Sequence, residues 1–162
     1  MPPLVQESSG SRACKAIAWA GLLAGTLDIA AAFVEASLKG RSPLSLLQGI
    51  AGGLLGMSSF QGGLATAALG AFCHYFIATG AATVFYLASR KLKFLVEHAI
   101  LSGLVYGIAV YIVMSYIVLP LSAYHVKVTL PPVSAFIKDV TILMFLIGLP
   151  TSLVVRRYSS IK

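Results

Sequence analysis

Asp28 lies near the middle of an apolar run from Ala16 to Ser37, and His74 lies near the middle of a second run from Leu64 to Ala88. An ionisable group near the centre of a bilayer costs about 3 kcal/mol on insertion scales, so a residue kept there is a functional candidate. If the two runs are antiparallel helices rising about 1.5 Å per residue, both side chains fall slightly outward of the midplane, at closely matching depths. They can then meet as an ion pair or as a neutral hydrogen bond. Such a pair is able to exchange a proton near neutral pH, the property a proton-coupled carrier needs. The alternative role is a structural clip that fixes the register of two helices.

The other reactive residues form no catalytic pattern. Cys14 and Cys73 are too far apart in the chain to suggest a disulfide framework or a metal-ligand spacing. Cys73 adjoins His74, but neighbouring helical residues point about 100° apart and do not share a ligand. A b-type haem would want paired histidines at workable depth; His74 is central, His98 marginal and His125 in a loop, so no cofactor is expected. Thr26, Gln48, Ser58, Ser59 and Gln61 offer no nucleophile with a base at a recognisable spacing. Glu35 and Lys39 stand i, i+4 in the favourable order for a surface pair. Glu97, Lys138 and Asp139 fall at the margins of apolar runs.

The elements that must position Asp28 and His74 follow from composition. Of 162 residues, 58% are hydrophobic and 10% charged, against about 25% charged in an ordinary soluble domain. The apolar residues fall in long unbroken runs, so the solvent they call for is a bilayer, which is the expected partner. The net charge of +7 resides in short basic clusters between those runs, a pattern of membrane topology rather than of nucleic-acid binding. The fold class expected is an all-α integral membrane four-helix bundle, with spans at about 16–37, 64–88, 94–119 and 136–155. Residues 1–15 and 156–162 are then tails on a single transmembrane domain, with a polar, disordered stretch over 1–12. Ala16 to Leu38 is too long for the apolar core of a secretory signal, which is about 7 to 15 residues.

Leu44 to Met57 is apolar over too short a length to span and reads as a re-entrant or interfacial helix between spans 1 and 2. On it Leu44, Leu47, Ala51 and Leu54 share a face suited to lipid, while Ser45, Gly49, Gly52, Gly56 and Ser59 share one suited to close contact. Pro120 to Ser134, with three prolines, His125 and Lys127, reads as a loop. With four spans, Arg12, Lys15, Arg90, Lys91, Lys93, Arg156, Arg157 and Lys162 lie on one side and Lys39, Arg41, Lys127 and Lys138 on the other. The excess of basic residues makes the first side, with both termini, cytoplasmic.

Spans in lipid associate through close packing of small residues and interhelical hydrogen bonds. Gly21, Gly25, Asp28, Ala32 and Glu35 make one narrow stripe on the first run, and Gly63, Ala67, Gly70 and His74 make another on the second. Gly103 and Gly107 sit four apart on the third. With Gly49, Gly52, Gly53 and Gly56 of the short helix, these are the expected helix-packing glycines, within the monomer or in a homo-oligomer or membrane protein partnership.

Ala24-Gly25-Thr26-Leu27-Asp28, the stretch Leu47 to Gly56, Gly62 to Gly70 followed by His74, Tyr106-Gly107, Tyr111 and Pro120-Leu121-Ser122 together resemble a family of small four-span proteins of bacterial inner membranes. The likeness covers most of residues 20 to 155, with Ser115 standing where asparagine is expected. It implies a multi-pass topology and an inner-membrane location, and it transfers no activity, cofactor or catalytic residue. The function expected first is a non-catalytic bundle acting as a scaffold or partner-binding subunit. The alternative is a small proton- or cation-linked transporter or channel using Asp28 and His74, with an intramembrane enzyme a distant third.

Overall fold

The computed structural model describes residues 9–125 and 130–159, and within them every regular element is helical. Helix α1, Ser9–Leu38, is followed by α2, Pro43–Leu55, a 3₁₀ turn over Gly56–Gln61, and α3, Gly63–Lys91. A single turn α4, Phe94–Glu97, precedes α5, Ala99–Val113, which runs through a π-helical segment, Met114–Val118, into α6, Leu119–Leu121. Helix α7, Val133–Leu143, likewise runs through a π segment, Met144–Gly148, into α8, Leu149–Tyr158. Among the described residues four stretches are long and apolar enough to cross a membrane: Gly10–Leu38, Gly63–Lys91, Ala99–Leu121 and Val133–Tyr158.

Apolar side chains cover the outside. Leu64, Phe72, Phe76, Ile100 and Leu101 are 61–80% exposed, a surface that water does not tolerate over so large a contiguous area and that lipid tails do. The chain is a membrane protein whose all-α bundle has four spanning helices. Its interior is built from small residues, Ala16, Ala20, Ala24, Ala36, Ala67 and Ala82 among them, because dispersion contacts between closely approaching backbones replace the hydrophobic effect in lipid.

Ala20, Ala82, Phe85 and Val155 form the buried core at one end, with Leu95 and Tyr106 packed against it. The start of α1 and the end of α8 therefore lie at that end, which also carries the basic residues of 90–93 and 156–157. At the opposite end α2 packs along α3. The short helix starts cleanly because Ser42 Oγ accepts the Ser45 N–H at 3.1 Å and Pro43 occupies the first turn. It stops at Gly56 and α3 begins at Gly63, both with φ near +60°, a conformation glycine adopts without strain. The turn after span 3 docks on α2: the Ala123 N–H donates to the Gly53 carbonyl at 2.8 Å and the Tyr124 hydroxyl to the Gly49 carbonyl at 3.0 Å.

Several boundaries differ from those the sequence suggests. Helix α1 begins at Ser9, inside the stretch expected to be a disordered tail; residues 1–8 lie outside the described residues. The third span starts at Ala99 rather than Phe94, because His98 takes a non-helical backbone (φ −107°, ψ 48°) and leaves Phe94–Glu97 as a separate turn. Helical structure also continues past Pro120 to Leu121. Proline lacks an N–H and its ring crowds the carbonyl four residues back, and the π segments that end two residues before Pro120 and Pro150 widen the helix at that point. Of the expected loop, residues 126–129, Lys127 included, lie outside the described residues, as does Lys162.

On α2 the buried face is Gln48, Ala51 and Gly52. Ala51 thus turns inward with Gly52, whereas the face read from the sequence placed it outward with Leu44 and Leu54; a methyl group is small enough for either environment. Gln48 is buried because its side-chain amide donates to the Gly63 carbonyl at 3.1 Å, tying α2 to the start of α3.

Candidate functional site: an unpaired carboxylate between two cavities

Spans 1 and 2 meet along the glycine stripe of α1. A Cβ on Gly21 would lie 2.7 Å from Thr79 Cα, and one on Gly25 would lie 3.0–3.2 Å from Tyr75 and Ala78. The bare Gly25 backbone lets His74 approach, and its Nε2 lies 2.8 Å from the Gly25 carbonyl oxygen. A carbonyl can only accept, so Nε2 carries the proton and donates it into this bond. One residue on, the Thr26 and Tyr75 hydroxyls are 3.1 Å apart.

Asp28 is left without a clip. Among the described residues its carboxylate has no hydrogen bond or ion pair, and the ionisable group acting on it through space is His74. The two side chains line one apolar cavity of about 320 Å³, walled by Ile77, Val110, Met114, Leu143 and Ile147. Asp28 also lines a second cavity, of about 230 Å³, together with Ala32, Glu35, Tyr111, Ser115 and Asp139. The carboxylate thus stands in the wall between a polar chamber reaching toward the α2 end of the bundle and an inner chamber that contains His74.

Glu35 stands at the rim of the polar chamber and joins spans 1 and 4. Its Oε1 lies 2.6 Å from Lys39 Nζ and 2.5 Å from Lys138 Nζ, and Lys138 Nζ is 3.2 Å from Asp139 Oδ1. The i, i+4 pair expected from the sequence is present, and Lys138 is added to it across the bundle. Toward the basic end the inner chamber meets the tight contact of spans 3 and 4. A Cβ on Gly107 would lie 2.6 Å from both Leu143 O and Met144 N, and one on Gly103 would collide with Ser152 and Gly148. Beyond this contact lies the buried Phe85 and Val155 layer.

The expected packing glycines take different roles. Gly21, Gly25, Gly52, Gly70, Gly103 and Gly107 sit where a side chain would meet a neighbouring helix or, for Gly52, the Tyr124 ring. Gly49 and Gly53 have only ordinary contacts at 3.9 Å, whereas Gly56 and Gly63 serve the turn through their positive φ. Gly148 was not singled out from the sequence, although it packs on Gly103 and Gly107; its spacing of four from Ser152 is the small-residue signal that marks it. His98 and His125 are exposed and lie elsewhere. Among the described residues no three His, Cys, Asp or Glu side chains converge as metal ligands would.

No protein-family model matches this chain, and no curated protein or solved structure is similar to it.

Proposed function

We propose that this chain is a small proton- or cation-linked transporter of a bacterial inner membrane, with both termini cytoplasmic and Asp28 as its binding group. The single observation that carries the reading is the unpaired Asp28 carboxylate in the wall shared by two cavities. A purely structural aspartate at this depth would be held by donors, since an unsatisfied polar group in hydrocarbon costs several kcal/mol. His74 supplies a second ionisable group in the inner chamber, and its Nε2 bond to the Gly25 carbonyl fixes the ring there.

A cation would enter by the chamber edged by Glu35 and Asp139, reach Asp28, and pass to the His74 chamber. The apolar layer around Phe85 closes the far end, so passage needs that layer to part and the mechanism is alternating access rather than an open pore. The test is an imposed pH gradient across proteoliposomes, followed with a trapped pH dye. Wild-type protein is expected to collapse the gradient faster than empty vesicles, and Asp28→Asn to abolish the difference. If wild type and empty vesicles leak alike under both proton and alkali-cation gradients, a scaffold or partner-binding role replaces transport.

A further inference from the structure

A third hollow lies at the basic end, between spans 2 and 3. It has a volume of about 330 Å³ and is almost wholly apolar, with Phe85, Phe94, Leu101, Val105 and Tyr106 in its walls and His98 at its mouth. Its inner wall is stiff. Phe85 is 1% exposed, its ring meets Tyr106 edge to face at 5.0 Å, and the Tyr106 hydroxyl is anchored by donating to the Ala81 carbonyl at 2.7 Å. From His98 to Ala109 the groove follows α5 for eleven residues, or about 16 Å at the helical rise, so it runs along the membrane normal from the interface inward.

The chain leading into the groove is strongly basic. Arg90 and Lys91, in the last turn of α3, and Lys93, next to the groove-lining Phe94, are all exposed, with Glu97 the one carboxylate among residues 90–98. An anionic phospholipid is apolar over such a depth and anionic at the level of that mouth. We propose that this groove is a binding site for an anionic phospholipid, with an acyl chain along Phe85, Val105 and Ala109 and the phosphate held by Lys91 and Lys93. Basic pockets between spanning helices favour such headgroups because phosphate neutralises clustered cations at the interface. The site uses neither Asp28 nor His74, although it shares Phe85 with the layer that closes the proposed transport path.

The experiment reconstitutes the full chain in vesicles of equal parts phosphatidylglycerol and phosphatidylcholine, extracts it in mild detergent, and counts retained lipids by native mass spectrometry. Wild type is expected to retain phosphatidylglycerol with roughly a thirtyfold preference, the size that two basic residues at an anionic surface supply. Lys91→Gln with Lys93→Gln should bring retention to the bulk ratio, whereas Arg12→Gln with Arg156→Gln, which removes equal charge from the same end, should leave the preference in place. Ala109→Phe, which fills the groove and keeps every charge, should also lose the lipid. Retention at the bulk ratio in wild type, equal losses in the two charge pairs, or full retention in Ala109→Phe would each overturn the proposal.

Discussion

Replacing Gly107 by alanine adds one methyl group at a backbone-to-backbone contact of the bundle and tests whether spans 3 and 4 meet there as closely as the structure has them. The new Cβ would stand 2.6 Å from Leu143 O and Met144 N, where an ordinary van der Waals contact is about 3.5 Å. Both obstacles are backbone, so no side chain can rotate away and the helices must part by the difference, about 1 Å. Overpacking of this kind costs about 1–3 kcal/mol, which for a chain of this size lowers Tm by roughly 5 °C. Gly80→Ala supplies the reference: nothing lies within 4 Å of its Cβ position, and helix propensity alone favours the change by up to about 1 kcal/mol. Thermal unfolding of both variants in the same detergent, followed by intrinsic fluorescence, reads the two effects with opposite signs. A Tm for Gly107→Ala at or above that of Gly80→Ala would refute the assigned contact between spans 3 and 4.

Three further outcomes follow from the same geometry. Asp28→Asn removes a charge that no donor holds, so it should raise thermal stability by about 1 kcal/mol even though the proposed transport would be lost; a loss of stability in the unfolding assay would mean that the carboxylate has a partner. His74→Gln keeps a donor for the Gly25 carbonyl and should unfold near wild type, whereas His74→Leu should cost about 1 kcal/mol; equal unfolding of the two variants would remove that bond from the account. Tyr124→Phe deletes the bond to the Gly49 carbonyl at a cost of about 1 kcal/mol and should speed amide exchange at Ala123. Unchanged exchange there would separate the turn from α2.

The four spans were legible because a run of about 20 apolar residues has no other stable use, and the short helix because Leu44 to Met57 is too brief to join them. That Asp28 and His74 line one chamber was legible as a matter of depth, whereas the direct pair expected between them is replaced by the His74 bond to Gly25. Their hydrogen bonding was not: His74 donates to the carbonyl of Gly25, and since every residue carries a carbonyl, such an acceptor leaves no mark in the sequence. The same limit hid the Gln48 bond to Gly63 and the Tyr124 bond to Gly49. Lys138 was read with Asp139 as interfacial because its reach to Glu35 depends on how two distant spans turn toward each other. Pro120 looked like a loop start because proline usually ends a helix, and the widened turn before it absorbs the ring instead.

The position of Asp28 along the bundle gives these pieces a direction. On its basic side the spans are held closely, by Gly21 against the α3 backbone, by Gly25 against the Tyr75 and Ala78 side chains, and by Gly103, Gly107 and Gly148 between spans 3 and 4. On its other side the facing residues are Tyr111, Ser115, Glu35 and Asp139, and a cavity replaces the contact. Met114 and Met144, which open the two π segments, lie at this same boundary, one in the wall of the inner chamber and the other against Gly107. A widened helical turn above a proline lacks a full hydrogen-bond ladder and bends at lower cost than regular helix. Spans 3 and 4 therefore both carry their weak point at the depth of the unpaired carboxylate, where the proposed alternating access would need them to bend.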